Sequence, residues 1–429
     1  MTGKLSIAIL LSALLSQSAA ALELRTESYQ DIQIALADSS DMAQSELLLT
    51  EADSILPHID SLLNIWYVRN YLNIDEDCTD SSTNPSFPDS VYRQRLESLP
   101  TVIEMPYNPE VRSAIDLYLS RSRKSTAIIL GLFPLYENIF VEALMKYDLP
   151  LELKYLPIIE SALKSKAYSR AGAAGMWQFI YSTGKLYGLN VNSLVDDRYD
   201  VRLASDAAAR HFKDLYEMYG RWDLAISAYN CGSGNVNKAI KRSGSTDFWK
   251  MYQYLPRETR GYLPAFIAMN YVMNYYREHN LKPAAASISP ATDTLHITRN
   301  LHMGQLEEMC GISAEEIKAY NPQYISEIIP GAYRTSVLTL PTSKILSVIG
   351  AGDSLYTCNI DKYFPKNKAA WVDDEMSNRR TYIEHKIKNG ETLSTIARHY
   401  HTTVKNIKTW NNMKSDNIRA GKVLRIYNR

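Results

Sequence analysis

Leu156-Pro157-Ile158-Ile159-Glu160-Ser161-Ala162, followed by Ala171-Gly172-Ala173-Ala174-Gly175-Met176-Trp177-Gln178-Phe179, is the stretch on which the reading of this chain turns. The apolar run from Tyr155 to Ile159 predicts a buried helix with Glu160 at its end. A carboxyl in that position is partly desolvated. Desolvation disfavours the carboxylate and raises the pKa, which is what a general acid needs near neutral pH. Taken alone, a Glu at such a boundary is usually no more than the edge of an amphipathic helix. The small residues Gly172–Gly175 let backbone approach closely, either to a ligand or to another helix. The Gln178 amide beside them offers sugar hydroxyls both a donor and an acceptor.

Outward from this stretch the pattern is helical. Phe133–Tyr147 carries apolar residues at helical spacing, Ser205-Asp206 caps a helix over Ala207–Tyr219, and Trp222–Tyr229 forms a short apolar helix with Asp223 in its first turn. Ala228-Tyr229-Asn230-Cys231-Gly232 then ends one helix and starts another. Tyr229 can set its hydroxyl beside Glu160 or stack on a sugar ring, although a plain helix cap would read the same way. The apolar stretch Tyr262–Tyr276 is broken by Pro264 and Asn residues and reads as a buried helix, not a bilayer span. Alternating strand patterns are absent from this part, so a mainly α domain is expected over 91–280.

At roughly 150 residues per domain, 429 residues predict two to three domains. Lys4, the apolar run Leu5–Leu15 and the small residues Ser16–Ala21 form a secretory signal peptide pattern over 1–21, whose apolar run is too short to span a bilayer. No Cys follows it for lipidation. The expectation is a protein exported across the inner membrane, periplasmic and cell-wall associated, with no transmembrane segment. Residues 22–90 read as an acidic helical N-terminal region. Over 22–100 there are 15 acidic and 4 basic residues, whereas 381–429 hold 10 basic and 3 acidic ones. The whole chain has a net charge of zero, which excludes a general polyanion binder such as a nucleic-acid protein. The basic tail suits an acidic envelope polymer or a solvated surface. Cys78, Cys231, Cys310 and Cys358 show no CxxC spacing, and the His residues show no HExxH, so no metal and no cofactor are expected. Export leaves one or two disulfides open, with the pairing undetermined.

After a Pro- and Ala-rich linker near Pro283, two segments repeat. His296-Ile-Thr-Arg-Asn300 leads to a helix ending Ile317-Lys-Ala-Tyr-Asn321, and His385-Lys-Ile-Lys-Asn389 to one ending Ile407-Lys-Thr-Trp-Asn411. The polar stretch 361–380 between the copies reads as a linker.

In order along the chain, Glu160-Ser161, Gly175-Met-Trp-Gln-Phe179, Ala228-Tyr-Asn-Cys-Gly232 and Glu258-Thr-Arg-Gly-Tyr262 resemble the motifs of the lytic transglycosylases, murein-degrading enzymes with a lysozyme-like fold. Within them the chain looks most like the membrane-bound D type, which adds C-terminal LysM modules. One departure is Cys231, where other members often carry Ala. The resemblance implies a mainly α, lysozyme-like catalytic domain with small βααβ LysM modules behind it. It implies peptidoglycan glycan strands as the partner and cleavage between N-acetylmuramic acid and N-acetylglucosamine with 1,6-anhydro ends. Glu160 would be the single acid and base. Ser169 and Gln178 would hold the muramic acid residue, Tyr229 would stand beside the carboxyl, Glu258 would line the cleft, and Gly175 and Asn230 would shape it. The segment 381–429 resembles a LysM domain, which implies glycan contacts at Gly390, Thr392, Asn417 and Ile418. Residues 295–341 resemble a degenerate copy without the Gly-Glu-Thr turn. Two alternatives stand beside this reading. One is a hydrolytic muramidase on the same fold, with a residue such as Asp197 or Asp200 of the Asp196-Asp197 and Asp200 cluster positioning water. The other is a non-catalytic peptidoglycan-binding protein.

Overall fold

The computed structural model describes residues 72–73, 84–286, 291–366, 368–369, 372, 382–400, 402–411, 413 and 415–427. The expected signal peptide, most of the acidic N-terminal region, Cys78 and linker residues 373–380 lie outside the described residues. The chain divides into two compact units. One holds the described residues up to Val191 with Asp196–Ala291, and the other holds Asn192–Val195 with those from Thr292 onward.

In the first unit a short strand β1 (Leu72–Asn73) pairs antiparallel with β2 (Ala285–Ala286). Everything else that shapes the unit is helical. After α1 (Asp89–Glu97), α2 (Pro109–Asp116) starts with Asn108 accepting from the Val111 amide and Pro109 at the first helical position, where its missing N–H costs nothing. Helix α3 (Arg123–Met145) is, among the described residues, the one helix long and apolar enough to cross a membrane. In this unit Ile129, Leu132, Phe133 and Phe140 are buried in the core. There follow α4 (Leu156–Ser161), α5 (Tyr181–Leu186), α6 (Val201–Tyr219), α7 (Trp222–Cys231), α8 (Ser233–Ser243), α9 (Phe248–Met251) and α10 (Arg257–Tyr275).

Helix α6 begins six residues before the expected Ala207, with a different cap: Asp200 accepts from the amides of Arg202 and Leu203. The residues expected to cap it are used elsewhere. Ser205 accepts from Trp177 Nε1 at 2.8 Å, and Asp206 pairs with Lys146 and Arg210. An Asp with free backbone ahead of it outcompetes Ser and Asp side chains that already have tertiary partners.

The second unit contains both repeats. In the first, β3 (Thr292–Ile297) pairs antiparallel with β6 (Ser336–Pro341), and β4 (Asn300–His302) pairs with β5 (Ile328–Pro330). Helices α11 (Met303–Cys310), α12 (Ala314–Tyr320), α13 (Thr342–Ala351), α14 (Ser354–Thr357) and α15 (Ile360–Tyr363) complete it. Its core joins Leu306, Ile317, Leu338 and Val372 with Leu194 and Val195. The stretch read as a linker from 361 therefore starts as packed structure: Tyr363 is buried, Phe364 packs on the core and Val372 lies within it. Isolated aromatic and aliphatic residues in a polar stretch carry no period to reveal this.

In the second repeat, β7 (Tyr382–Lys386) pairs with β8 (Val423–Tyr427) across α16 (Leu393–His399) and α17 (Val404–Trp410), over a core of Ile387, Leu393, Ile396, Ile407, Leu424 and Ile426. The repeated Asn does the same job in each copy. Asn321 brackets Thr339, giving to its carbonyl at 2.7 Å and accepting from its amide at 2.8 Å, and Asn411 brackets Arg425 in the same way at 2.7 Å. Across the ladders Thr339 faces Thr294 and Arg425 faces Glu384. Thr294 therefore corresponds to Glu384, and His296 to Lys386 rather than to His385. A one-residue shift changes the face of a strand: His296 is exposed and His385 buried.

Candidate active site

Glu160 is the penultimate residue of α4. The helix stops there because Ala162 and Leu163 adopt left-handed backbone, at φ 51° and 62°, a conformation that costs a non-glycine residue on the order of 1 kcal/mol. Ser161 secures the stop by donating to the carbonyls of both Pro157 and Met176, at 2.9 and 3.0 Å. The helix end is thereby fixed to the Gly175–Phe179 segment.

Among the described residues the Glu160 carboxyl has one donor, the Tyr262 hydroxyl at 2.5 Å. Tyr262 is buried in α10, and Glu258 lies one helical turn ahead of it. Burial pushes the Glu160 pKa up to about 8, the Tyr262 hydrogen bond opposes that shift, and the negative charge of Glu258 adds to it. At neutral pH the group is mostly an acid with a proton to give. Among the groups around Glu160, Tyr262 is the one the sequence reading missed. It was quoted as the end of a motif, and its i+4 relation to Glu258 was the available signal.

The remaining expected residues have the following partners. Tyr229 gives its hydroxyl to the Trp177 carbonyl at 2.7 Å and stacks on Phe212 with centroids 4.3 Å apart. It lies close enough to Glu160 for the carboxylate's charge to raise its pKa further, after burial. Asn230 accepts from Thr259 at 2.8 Å, tying α7 to α10. Gln178 sits in left-handed backbone at φ 49° and returns its side-chain nitrogen to the Gly175 carbonyl at 2.8 Å. Ser169 accepts from the Ala173 amide at 3.0 Å, closing the turn ahead of that segment. Gly175 faces protein, not a cleft: a Cβ there would stand 1.8 Å from the Arg198 carbonyl oxygen. Glu258 is exposed.

The acidic cluster at 196–200 reads in the sequence as a polar loop, yet Asp196 and Asp197 are buried. Both are committed to structure. Asp196 holds Arg198 through Nε at 3.0 Å and Nη2 at 2.7 Å, and Arg198 passes its other nitrogen to the carbonyls of Gly172 and Phe179. Asp197 accepts from the backbone and side chain of Asn190, and Asp200 caps α6. This arginine knot braces the loop carrying Gln178. Cys231 is a buried free thiol, as burial within α7 dictates, and Cys310 and Cys358 are also free.

In the LysM-like fold of residues 382–427, Gly390 takes φ 87° in the turn after β7, and Thr392 caps α16 by accepting from the Thr395 amide. Asn417 is exposed, and Ile418 packs partly on the core just before β8.

Three family models match the chain: the transglycosylase SLT domain over 137–252, the LysM-like domain of lytic transglycosylase MltD over 291–357, and the LysM domain over 385–426. Membrane-bound lytic murein transglycosylase D of Escherichia coli (strain K12) is 29% identical over 340 residues, which cover 75% of this chain and 70% of that protein. The cell wall-binding protein YocH of Bacillus subtilis (strain 168) is 51% identical over 66 residues, 15% of this chain and 22% of its own length. Among solved structures, the 70 kDa soluble lytic transglycosylase SLT70 of Escherichia coli aligns with a TM-score of 0.32 and 21% identity, over 41% of this chain and 31% of that one. The SLT match encloses Glu160, Gln178 and Tyr229, and the two LysM matches fall on the two repeats. By these matches the chain is an MltD-like lytic transglycosylase, with an SLT domain followed by an MltD-type LysM-like domain and a LysM domain.

Proposed function

We propose that Glu160 is both acid and base in a single cleavage of the β-1,4 bond between N-acetylmuramic acid and N-acetylglucosamine. The observation that carries this reading is a carboxyl with a pKa of about 8 and one hydrogen-bond donor. Glu160 gives its proton to the glycosidic oxygen as the C1–O bond breaks, and the bonding electrons leave with that oxygen. The sugar's 2-acetamido group stabilises the cation left at C1. The carboxylate then takes the proton of the C6 hydroxyl as its oxygen bonds to C1. Glu160 ends protonated, and the product carries a 1,6-anhydro ring with no water consumed. Tyr262 holds the carboxyl in place through both steps. Ser169, Gln178, Tyr229 and Asn230 contribute the walls that orient the muramic acid residue.

A glycosidase that uses water needs a second carboxylate at a defined separation. Asp196, Asp197 and Asp200 are occupied by Arg198, Asn190 and the α6 N-terminus, which favours the intramolecular nucleophile, held at high effective concentration. A hydrolytic reading would turn to Glu258, whose charge acts on Glu160. We assign its action to peptidoglycan in the cell envelope, in line with a secreted, periplasmic protein. Gly390, Thr392, Asn417 and Ile418 are assigned to glycan contact, keeping the enzyme on its insoluble polymer. Digestion of peptidoglycan in heavy-oxygen water tests the chemistry. The expected products are anhydro ends with no label at C1, whereas labelled, reducing muramic acid as the main product would make the enzyme a hydrolase.

A further inference from the structure

The two repeats differ where a LysM-type fold would take up glycan. Their helix caps put them in correspondence: His302 caps α11 as Thr392 caps α16, so Asn300 stands where Gly390 stands. In the 382–427 copy, β7 and β8 pair with each other, and among the described residues no ladder joins the Gly390 turn to the Asn417 segment. In the 292–372 copy the corresponding stretches have become strands paired with each other. Asn300 faces Pro330, Leu301 faces Ile329 and His302 faces Ile328. The ladder is extended on one side by the Met303 amide giving to the Glu327 carbonyl at 2.8 Å, and on the other by the Ala332 amide giving to Asn300 Oδ1 at 3.2 Å. Backbone groups that a glycan would need to meet are already satisfied.

A second layer lies over the first. The Tyr363 ring packs against the His302 ring with centroids 4.7 Å apart, and the Lys368 ammonium is 3.0 Å from His302 Nε2. Glu308 holds this cover in place, accepting from Tyr363 at 2.5 Å, from Asn359 at 2.6 Å and from Lys362. The cover needs Gly304, because a Cβ there would come within 2.4 Å of the Tyr363 ring. The other copy has Ser394 at the corresponding position, one residue after Leu393 as Gly304 follows Met303. Room for the cover exists in one copy only.

We infer that this chain has a single LysM glycan site, in the 382–427 copy, and that the 292–372 copy is closed by its own β4–β5 ladder and the Tyr363 cover. The assignment rests on the reading of residues 382–427 as glycan-binding, and one experiment separates the two. The full chain carrying Glu160→Gln, with labelled isoleucine methyl groups, is titrated with chitopentaose. Ile418 is expected to move saturably while Ile297, Ile328 and Ile329 hold still, and Asn417→Ala is expected to weaken the Ile418 titration about tenfold. Saturable movement of Ile328 or Ile329 that persists in the Asn417→Ala chain overturns the closure. Stillness of Ile418 together with the others, at concentrations where the chain still sediments with peptidoglycan, overturns instead the glycan reading of 382–427 and the single-site assignment built on it.

Discussion

Glu160, half-buried, and the buried pair Asp196 and Asp197 are acidic groups of the same unit, and they arrive at opposite chemistry. Asp196 faces a guanidinium through two nitrogens, and Asp197 accepts from a backbone and a side-chain amide. Their charge is neutralised or solvated by protein, so they hold a loop. Among the described residues Glu160 has one neutral donor, and the charge that acts on it is that of another carboxylate, Glu258. Its charge is therefore the costly form, and the group keeps a proton. Burial does not make an acid; burial with too few donors does.

Removing the contrast altogether should give the largest effect. Glu160→Gln leaves the shape and deletes both proton transfers, each of a kind worth about 100- to 10,000-fold, so lysis of peptidoglycan in a turbidity assay should fall at least to the upper end of that range. Retention of about a tenth of the activity by a natively folded variant would take Glu160 out of the reaction. The same variant reports on linkage. A carboxyl whose pKa rises from 4.5 when unfolded to about 8 when folded stabilises the fold relative to Gln less and less as pH climbs through that window. The melting temperature of Glu160→Gln relative to the parent should therefore increase between about pH 5 and about pH 9.

Asp196→Asn tests the other side of the comparison. It leaves the buried Arg198 guanidinium without its counter-charge, a change that typically costs about 3–5 kcal/mol. Thermal unfolding should show a large loss of stability. The pH dependence of the folded fraction's activity should stay where it was, since Asp196 does not act on Glu160. An alkaline limb that moves in Asp196→Asn would tie the knot to the chemistry and end the distinction drawn here.

What the sequence disclosed follows the same division. Glu160 was legible because desolvation by a neighbouring apolar run is a local property, and the helices of the first unit were legible because their period is local as well. The knot was not. Asp196, Asp197 and Arg198 look like an exposed polar loop, and only tertiary contacts with Gly172, Phe179 and Asn190 reveal that they are buried. The start of α6 was misplaced for a related reason, because Ser205 and Asp206 have cap-type side chains whose real partners are Trp177, Lys146 and Arg210. In the repeats, His296 and His385 look equivalent in the sequence but lie one residue out of register, and the Asn321 and Asn411 brackets fix the true correspondence.

Tyr262→Phe should have the next effect in size. It removes the Tyr262 donor to Glu160 with little change of volume, and a hydrogen bond to a charged group, as Glu160 is once it has given up its proton, is worth about 1.5–3 kcal/mol, so kcat/KM should fall by about 10- to 160-fold. Because that bond holds the Glu160 pKa down against burial, the alkaline limb of activity should move to higher pH. A loss of activity with the limb unmoved would make Tyr262 a packing residue only.

The smallest effect, and the finest division of the comparison, belongs to Glu258→Gln. Glu258 adds to the Glu160 shift through its charge, behind burial as the larger cause, and it is exposed, so water and salt screen it. Neutralising it should move the alkaline limb of kcat/KM to lower pH, opposite in sign to Tyr262→Phe and smaller. Raising the ionic strength should shrink the difference between parent and variant, while leaving the Tyr262→Phe shift, made at a buried contact, almost untouched. A large fall in kcat with no movement of the limb would give Glu258 a part in the reaction itself. The heavy-oxygen digestion would then have to be repeated on that variant, because a carboxylate working beside Glu160 is what a water-using enzyme requires.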